Sequence, residues 1–331
     1  MSQSVAVIGG GAWGTALAQM LASDGRDVLL WAREAEVIEA VNSQHRNPVF
    51  LPSAKLAQSI TATGDIAKLA GIPVVLVVTP AQHMGSVLAT LPGDPQDLVL
   101  CSKGIEQATG RLMNDVAADT CPDSDIAILS GPTFAHEVAG GLPTAVTLAC
   151  AGGEAQWDRL KPAIARPAFR PYYSDDVAGA EIGGAVKNVL AIACGVVDGL
   201  GLGQNARAAL IARGYAEMLR FGEALDAKAE TLAGLCGLGD LVLTCSSTSS
   251  RNFSLGKALG EGQSAADLMA DRTTVAEGAH TAPVLDEIAT SKGVDMPIVA
   301  AVNTLLRGAP AGEVVQGLLA RPLRAEREAG A

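Results

Sequence analysis

Aromatic residues make up 3% of this 331-residue chain and charged residues 18%, and no two of its six cysteines form a C-x-x-C pair. Each shortage excludes something. So little charge beside 49% hydrophobic residues is the reverse of a disordered composition. Unpaired cysteines, several of them inside apolar runs, read as buried thiols in a reducing compartment. The four histidines show no H-x-x-x-H spacing, so no metal site is expected. A positive balance is missing too. At a formal net charge of -11, the chain is not expected to bind nucleic acid or an anionic membrane surface. A small anionic substrate stays open, because it needs only a few placed cations and backbone N–H groups. The longest apolar runs, 74–78 and 189–197, fall short of the roughly 20 residues of a membrane span. The apolar run from Val5 leads straight into a glycine loop and leaves no room for a signal peptide, so a soluble, cytoplasmic protein is expected.

What is present has a rhythm. Short β-branched runs at 5–8, 28–31, 74–79, 98–102, 126–130 and 145–148 alternate with helical stretches. Nearly all their residues are apolar, as parallel strands covered on both faces require. Ala16, Leu17, Met20 and Leu21 mark one face of a helix between the first two runs. Thr63-Gly64-Asp65 is a start signal for a short helix ending at Gly71. Such alternation predicts a doubly wound α/β sheet of the Rossmann kind. After about residue 175 the pattern becomes helical: Ile182, Val186, Val189, Leu190 and Ala193 share a face, and further helices are expected over 208–225 and 281–291. Leu241–Leu243 is the one possible short strand there, and the charged tail from Arg321 is expected to fray. The length suits two domains, 1–180 for a dinucleotide and 181–331, mainly α-helical, for substrate and catalysis.

Gly9, Gly11 and Gly14 fit G-x-G-x-x-G, following one strand and opening a helix at the start of a β-α-β unit. Gly9 permits the tight turn, Gly11 lets backbone approach a pyrophosphate, and Gly14 lets helix and strand pack closely. The helix N-terminus offers free N–H groups and a positive dipole end to the phosphates. The competing reading is a glycine-rich turn without a ligand. Arg33, nineteen positions past Gly14, stands where an acidic residue would select NAD and an arginine accommodates the 2′-phosphate. NADPH is therefore favoured, Glu34 keeps NADH open, and the bland alternative is a solvated arginine.

Candidates for chemistry stand beyond the carboxyl ends of the strands: Thr79-Pro80, Ser102-Lys103-Gly104 and Ser130-Gly131-Pro132-Thr133. Lys103 is the only cation among them, weighed against an ordinary surface lysine. Lys187 lies in an apolar helix over Gly183 and Gly184, where bare backbone would leave room for a small substrate. Partial withdrawal from water would move its pKa toward the range useful for proton transfer; the alternative is a lysine reaching out of a buried helix. A third cluster runs from Gly237 through Asp240 and Thr244 to Ser250, Arg251 and Asn252, a set that suits a phosphate or a polyol.

These segments resemble the NAD(P)-dependent glycerol-3-phosphate dehydrogenases of the bacterial type, through GGGAWGT from Gly9, SKG from Ser102, SGPTFAHE from Ser130, GAVKNV from Gly184, NARAAL from Asn205, GLGDLVLTC from Gly237, SRN from Ser250 and VAEG from Val275. The resemblance implies that Ala12, Trp13, Arg33, Lys103, Ala135, Arg251, Val275 and Glu277 join the glycines in holding the dinucleotide. It implies that Lys103, Gly131, Thr133, Lys187, Asp240, Ser250, Arg251 and Asn252 hold dihydroxyacetone phosphate or sn-glycerol 3-phosphate. Lys187 matches the family's proton donor and acceptor, with Lys103 beside it, and the family is commonly homodimeric. Trp13 stands where some members have Tyr and Arg33 where others have His, departures that touch cofactor fit. Two rival functions share part of the pattern: a β-hydroxyacid or phosphogluconate-type dehydrogenase, and a non-catalytic dinucleotide sensor.

Overall fold

A computed structural model describes residues 5–270 and 276–323. Eight strands form one sheet in the order β3-β2-β1-β4-β5-β6-β7-β8. They are β1 (Val5–Ile8), β2 (Val28–Trp31), β3 (Ile60–Thr63), β4 (Val74–Val77), β5 (Asp97–Leu100), β6 (Asp125–Ser130), β7 (Thr144–Cys150) and β8 (Phe169–Ser174). Residues along β1 alternate between two cores. Val5 and Val7 pack with α1 (Ala12–Leu21), α2 (Ala35–Gln44) and α6 (Gly153–Ile164), whereas Ala6 and Ile8 pack with α3 (Ala81–Leu88) and α4 (Met113–Thr120). Burial on both faces is why these strands read as unbroken apolar runs. The predicted face of α1 is buried throughout, Leu17 completely, a burial that contributes about 2 kcal/mol for such a side chain.

β1 through β6 are parallel, but β7 pairs antiparallel with β6, and β8 runs parallel to β7. The 145–148 run is thus a strand of reversed direction, a correction to the all-parallel expectation. β3 and β8 are strands at the two edges of the sheet that the sequence reading did not include. β3 (ITAT) is half polar and its Thr61 is exposed; β8 (FRPYYS) carries Arg170 and Pro171. Edge strands tolerate such residues because one side needs no ladder partner. The helix start at Thr63–Asp65 proves to be the end of β3 followed by a 3-10 turn, Ile66–Leu69, capped by the Asp65 carboxylate on Ala67 N–H at 3.0 Å.

Among the described residues no strand follows β8. The short α5 (Ala135–Ala139) joins β6 to β7 and α6 joins β7 to β8; after β8 the chain becomes α7 (Val177–Gly199), α8 (Gly203–Glu223) and α9 (Ala229–Ala233). A π-helical turn, Leu235–Gly239, runs directly into α10 (Asp240–Thr244). Residues 241–243 are therefore helical, which corrects the possible strand there. Then come α11 (Arg251–Gly260), α12 (Ala265–Ala270), α13 (Glu277–Ser291), α14 (Pro297–Leu306) and α15 (Ala311–Leu319). The tail expected to fray lies, from position 324, outside the described residues.

α7 is the axis of this half. It starts on the Asp176 cap, whose carboxylate accepts Gly179 N–H at 2.8 Å, and α8, α10, α11, α13 and α14 pack around it. At 23 residues and a mean hydropathy of 1.5 it is long and apolar enough to span a membrane, contrary to the expectation from its uninterrupted apolar run, yet that apolar window is wholly enclosed by protein. Gly195 and Gly256 let α11 lie against α7 at backbone contact, since a Cβ at 256 would strike Ile192 O.

Candidate active site

Gly9 has φ +125°, and a Cβ there would stand 2.9 Å from Val78 O, so the turn out of β1 requires glycine. A Cβ at Gly14 would collide with Gly9 O, whereas one at Gly11 would meet nothing within 4 Å. Gly14 thus serves packing, and Gly11 faces open space at the start of α1. No side chain caps that start and no acid lies in its first turn, leaving its N–H groups and dipole available to an anion. Trp13 Nε1, buried at the same turn, has no hydrogen-bond partner. A bare helix start beside open space and an orphaned donor fit a dinucleotide. Ala12, Trp13 and Ala135 are half-buried beside this loop, packed on the same core. Arg33 follows the end of β2 with its side chain 81% exposed, paired only with Glu34 at 3.2 Å. It is free to turn toward a phosphate.

Near the carboxyl ends of β5 and β6, three chain segments meet on one carboxylate. Lys103, just past β5, donates to Asp240 Oδ2 at 2.7 Å and to Gly131 O at 3.3 Å. Lys187, on α7, donates to Asp240 Oδ1 at 2.8 Å and to Thr244 Oγ1 at 2.9 Å. Thr244 in turn donates to Asp240 Oδ1 at 3.1 Å. Asp240 and Lys187 are both buried, and the Lys103 side chain keeps 13% of its surface exposed. Burial pulls the Lys187 ammonium down to about 8; Asp240 opposes that and Lys103 adds to it. Burial would raise the Asp240 carboxyl, but the two ammonium groups outweigh it and hold it below its ordinary value. Two cations on one anion leave one net positive charge at the crevice, and Lys187 near the neutral range for proton exchange.

The glycines beneath Lys187 do something other than leave room for substrate. A Cβ at Gly183 would collide with Cys236 O, and one at Gly184 would lie 3.1 Å from Ser130 Oγ and 3.4 Å from Lys103 Cγ. They let the π-helical turn, the end of β6 and the Lys103 stem press against α7, which is what brings the two lysines to one carboxylate.

At the start of α11, Ser250 Oγ accepts Phe253 N–H at 3.3 Å and so caps the helix. Asn252 is buried, donating to Asn188 Oδ1 and accepting Gly278 N–H, both at 2.9 Å. Arg251 is exposed beside them. Burial raises the Glu277 carboxyl against the pull of Arg251, Lys103 and Lys187, and it accepts a hydrogen bond from Ala81 N–H of α3. Gly131 (φ +153°) and Thr133, whose Oγ1 donates to Gly131 O at 3.2 Å, follow β6 beside Lys103. The structure therefore joins Lys103, Lys187, Asp240 and Gly131 directly, and links Asn252 to the Glu277 turn through Gly278. Val275 lies outside the described residues. Asn188 is a polar member that the sequence reading did not assign, and Thr244, read there only as part of the third cluster, proves to be a partner of Lys187. Thr244 was detectable as the i+4 neighbour of Asp240 had 240–244 been read as helix.

Models of the NAD-dependent glycerol-3-phosphate dehydrogenase N-terminus and C-terminus match residues 4–156 and 176–316. The chain is 80% identical over 331 residues to glycerol-3-phosphate dehydrogenase [NAD(P)+] of Erythrobacter litoralis, covering all of both chains. It is 73% identical to that of Novosphingobium aromaticivorans, over 98% of this chain and 99% of the other. The crystal structure of glycerol-3-phosphate dehydrogenase from Coxiella burnetii superposes with a TM-score of 0.90 at 37% identity, covering 96% of this chain and 98% of that one. On this evidence the chain belongs to the NAD-dependent glycerol-3-phosphate dehydrogenase family.

Proposed function

We propose that the chain reduces dihydroxyacetone phosphate reversibly to sn-glycerol 3-phosphate, supplying glycerophospholipid synthesis. The observation that carries this reading is the pair of lysines on Asp240, Lys187 buried and Lys103 half-buried, at the carboxyl end of a dinucleotide-type sheet. The glycine loop, Trp13, Ala135, Arg33 and Glu277 would hold NADPH or NADH; Val275, which the family resemblance adds, lies outside the described residues. When bound, that cofactor supplies the hydride.

The chain's own residues do the rest. The Arg251 guanidinium and the start of α11 hold the substrate phosphate, where a helix N-terminus and a cation both favour an anion. Ser250 and Asn252 fix that turn. Lys187 Nζ gives its proton to the carbonyl oxygen as negative charge develops there, and takes one back in the reverse direction. Thr244 and Asp240 fix the direction of that ammonium. Lys103 supplies a second positive charge beside the same oxygen, stabilising the developing alkoxide from a pre-set position. A dinucleotide sensor would have no use for a buried ammonium group and a half-buried one on a single buried carboxylate, whose desolvation costs several kcal/mol.

Residues 1–180 would form the dinucleotide domain and 181–331 the catalytic domain; cytoplasmic location and a homodimer belong to the same proposal and rest on the family resemblance. Following NADPH and NADH absorbance with dihydroxyacetone phosphate tests the activity. Oxidation of either cofactor is expected only with this substrate; indifference to it, with turnover of a β-keto acid, would transfer the chain to the hydroxyacid dehydrogenases.

A further inference from the structure

Lys103 sits on the segment between β5 and α4, and that segment is fastened at both ends. At the β5 end, Cys101 N–H donates to Val77 O at 2.8 Å and Ser102 Oγ to Thr79 O at 2.5 Å. In the middle, Gln82 of α3 donates to Ile105 O and accepts Gln107 N–H, both at 2.8 Å. At the far end, α4 begins after Leu112, which has no side chain able to cap it. The missing cap comes from another element. Glu181 of α7, buried to 6% exposure, accepts Asn114 N–H at 2.9 Å and also a hydrogen bond from Met113 N–H.

Glu181 stands six residues before Lys187 on the same helix, a rise of about 9 Å. One rigid helix therefore carries the proton-transfer lysine and grips the start of the helix that terminates the Lys103 segment. We propose that Glu181 is a positioning residue for the reaction, capping α4 from α7 so that Lys103 stays at the distance from Lys187 at which both bind Asp240. The inference rests on the proposed roles of those lysines.

Two observations support more than a structural cap. Glu181 Oε2 and Asn114 Oδ1 are both buried without a hydrogen-bond partner. Burial, with Asp115 contributing, pushes the Glu181 carboxyl up to about 8 against the lowering effect of the two backbone N–H groups. Near pH 7 it is the neutral acid, one oxygen accepting from α4 and the other buried without a partner. Glutamine keeps the accepting oxygen.

The experiment uses the full-length enzyme in wild-type and Lys103→Ala backgrounds, with Glu181→Met, of similar volume and no acceptor, and Glu181→Gln. Readouts are kcat and KM for dihydroxyacetone phosphate, NADPH affinity by fluorescence, melting temperature and the pH profile of reduction. Glu181→Met is expected to lower kcat about tenfold, the effect of one to two lost neutral hydrogen bonds. NADPH affinity should stay within about twofold on the same basis, since the glycine loop is untouched. The pH midpoint should rise, because Lys103 no longer depresses Lys187. In the Lys103→Ala background the same substitution should have no further effect on kcat. Glu181→Gln should stay within about twofold of wild type, because the amide retains both contacts. An equal loss from Glu181→Met in both backgrounds, or an unmoved pH midpoint, makes Glu181 an ordinary structural cap and overturns the inference. Should the Met variant not fold, a tenfold kcat loss in Glu181→Gln at unchanged melting temperature does the same. If Lys103→Ala alone is harmless, the assignment of Lys103 fails instead, a distinguishable result.

Discussion

The two walls of the proposed site are made of different materials. The wall at β1 and α1 is backbone: three glycines and an uncapped helix start, with the exposed Arg33–Glu34 pair beside them. The wall at α7 is side-chain charge, two ammonium groups and a carboxylate locked into one network. Backbone donors bind an anion without being titrated, so the first wall should be indifferent to pH and sensitive to added atoms. The second should be the reverse, tolerant of small steric changes and governed by proton equilibria.

The largest test of this contrast is Lys187→Ala. Loss of a positioned acid costs about 10²–10⁴ in kcat, and NADPH affinity by fluorescence titration should hardly change; an equal loss of affinity would show that the walls are not separate. Gly14→Ala is its counterpart. The added Cβ strikes Gly9 O, and overpacking of about 1–3 kcal/mol should weaken NADPH binding roughly 5–150-fold while leaving the pH midpoint of turnover in place.

That midpoint sharpens the contrast. Reduction should fall as pH rises through about 8, where Lys187 loses the proton it donates, and glycerol 3-phosphate oxidation should rise through the same point. Removing Lys103 is expected to raise the midpoint and Asp240→Asn to lower it, because these neighbours act in opposite directions on Lys187. A midpoint unmoved by both would place the titrating group elsewhere. Arg33→Ala should be smaller. Since the side chain is exposed, its ion pair with a 2′-phosphate is worth up to about 1 kcal/mol, so the NADPH-to-NADH preference, measured as a ratio of kcat/KM, should drop by about fivefold or less.

The smallest effect lies away from both walls. Buried Glu217 accepts Ile298 N–H at 2.7 Å and Val299 N–H at 3.2 Å, and burial raises it from 4.5 to about 7. The folded state then holds a proton that the unfolded chain has released, so stability declines as pH climbs from 4.5 through 7. Glu217→Gln should flatten the fall of melting temperature across that window.

Much of this was legible because local and global demands agree. β1, α1 and β2 are continuous apolar elements around a glycine loop, and α7 displays its core-facing residues at helical spacing. Where the demands diverge the sequence is mute. β3 and β8 sit at edges that accept Thr, Arg and Pro, so their composition lacks the strand signal. Residues 241–243 carry Leu-Val-Leu, which suits a strand, but the π-helical turn before them and packing on α7 make them helical. Gly183 and Gly184 mislead for a related reason: a missing side chain looks like space, and only the fold reveals that Cys236, Ser130 and Lys103 fill it. The convergence of Lys103, Lys187 and Asp240 is long-range, and no spacing encodes it.

Between β6 and β7 the chain turns back on itself. The first six strands finish at the crevice, whereas β7 and β8 finish at the opposite rim, so α7 sets out from the far side of the sheet and has to climb past it. Lys187 stands ten residues above Val177, about 15 Å up the helix axis, close to the roughly 17–20 Å run of a strand. The reversed pair works as a launching ramp that makes the height of the ammonium a matter of counting residues. One residue inserted below it would swing the amine about 100° round the axis, whereas seven would restore its bearing and overshoot the carboxylate by about 10 Å.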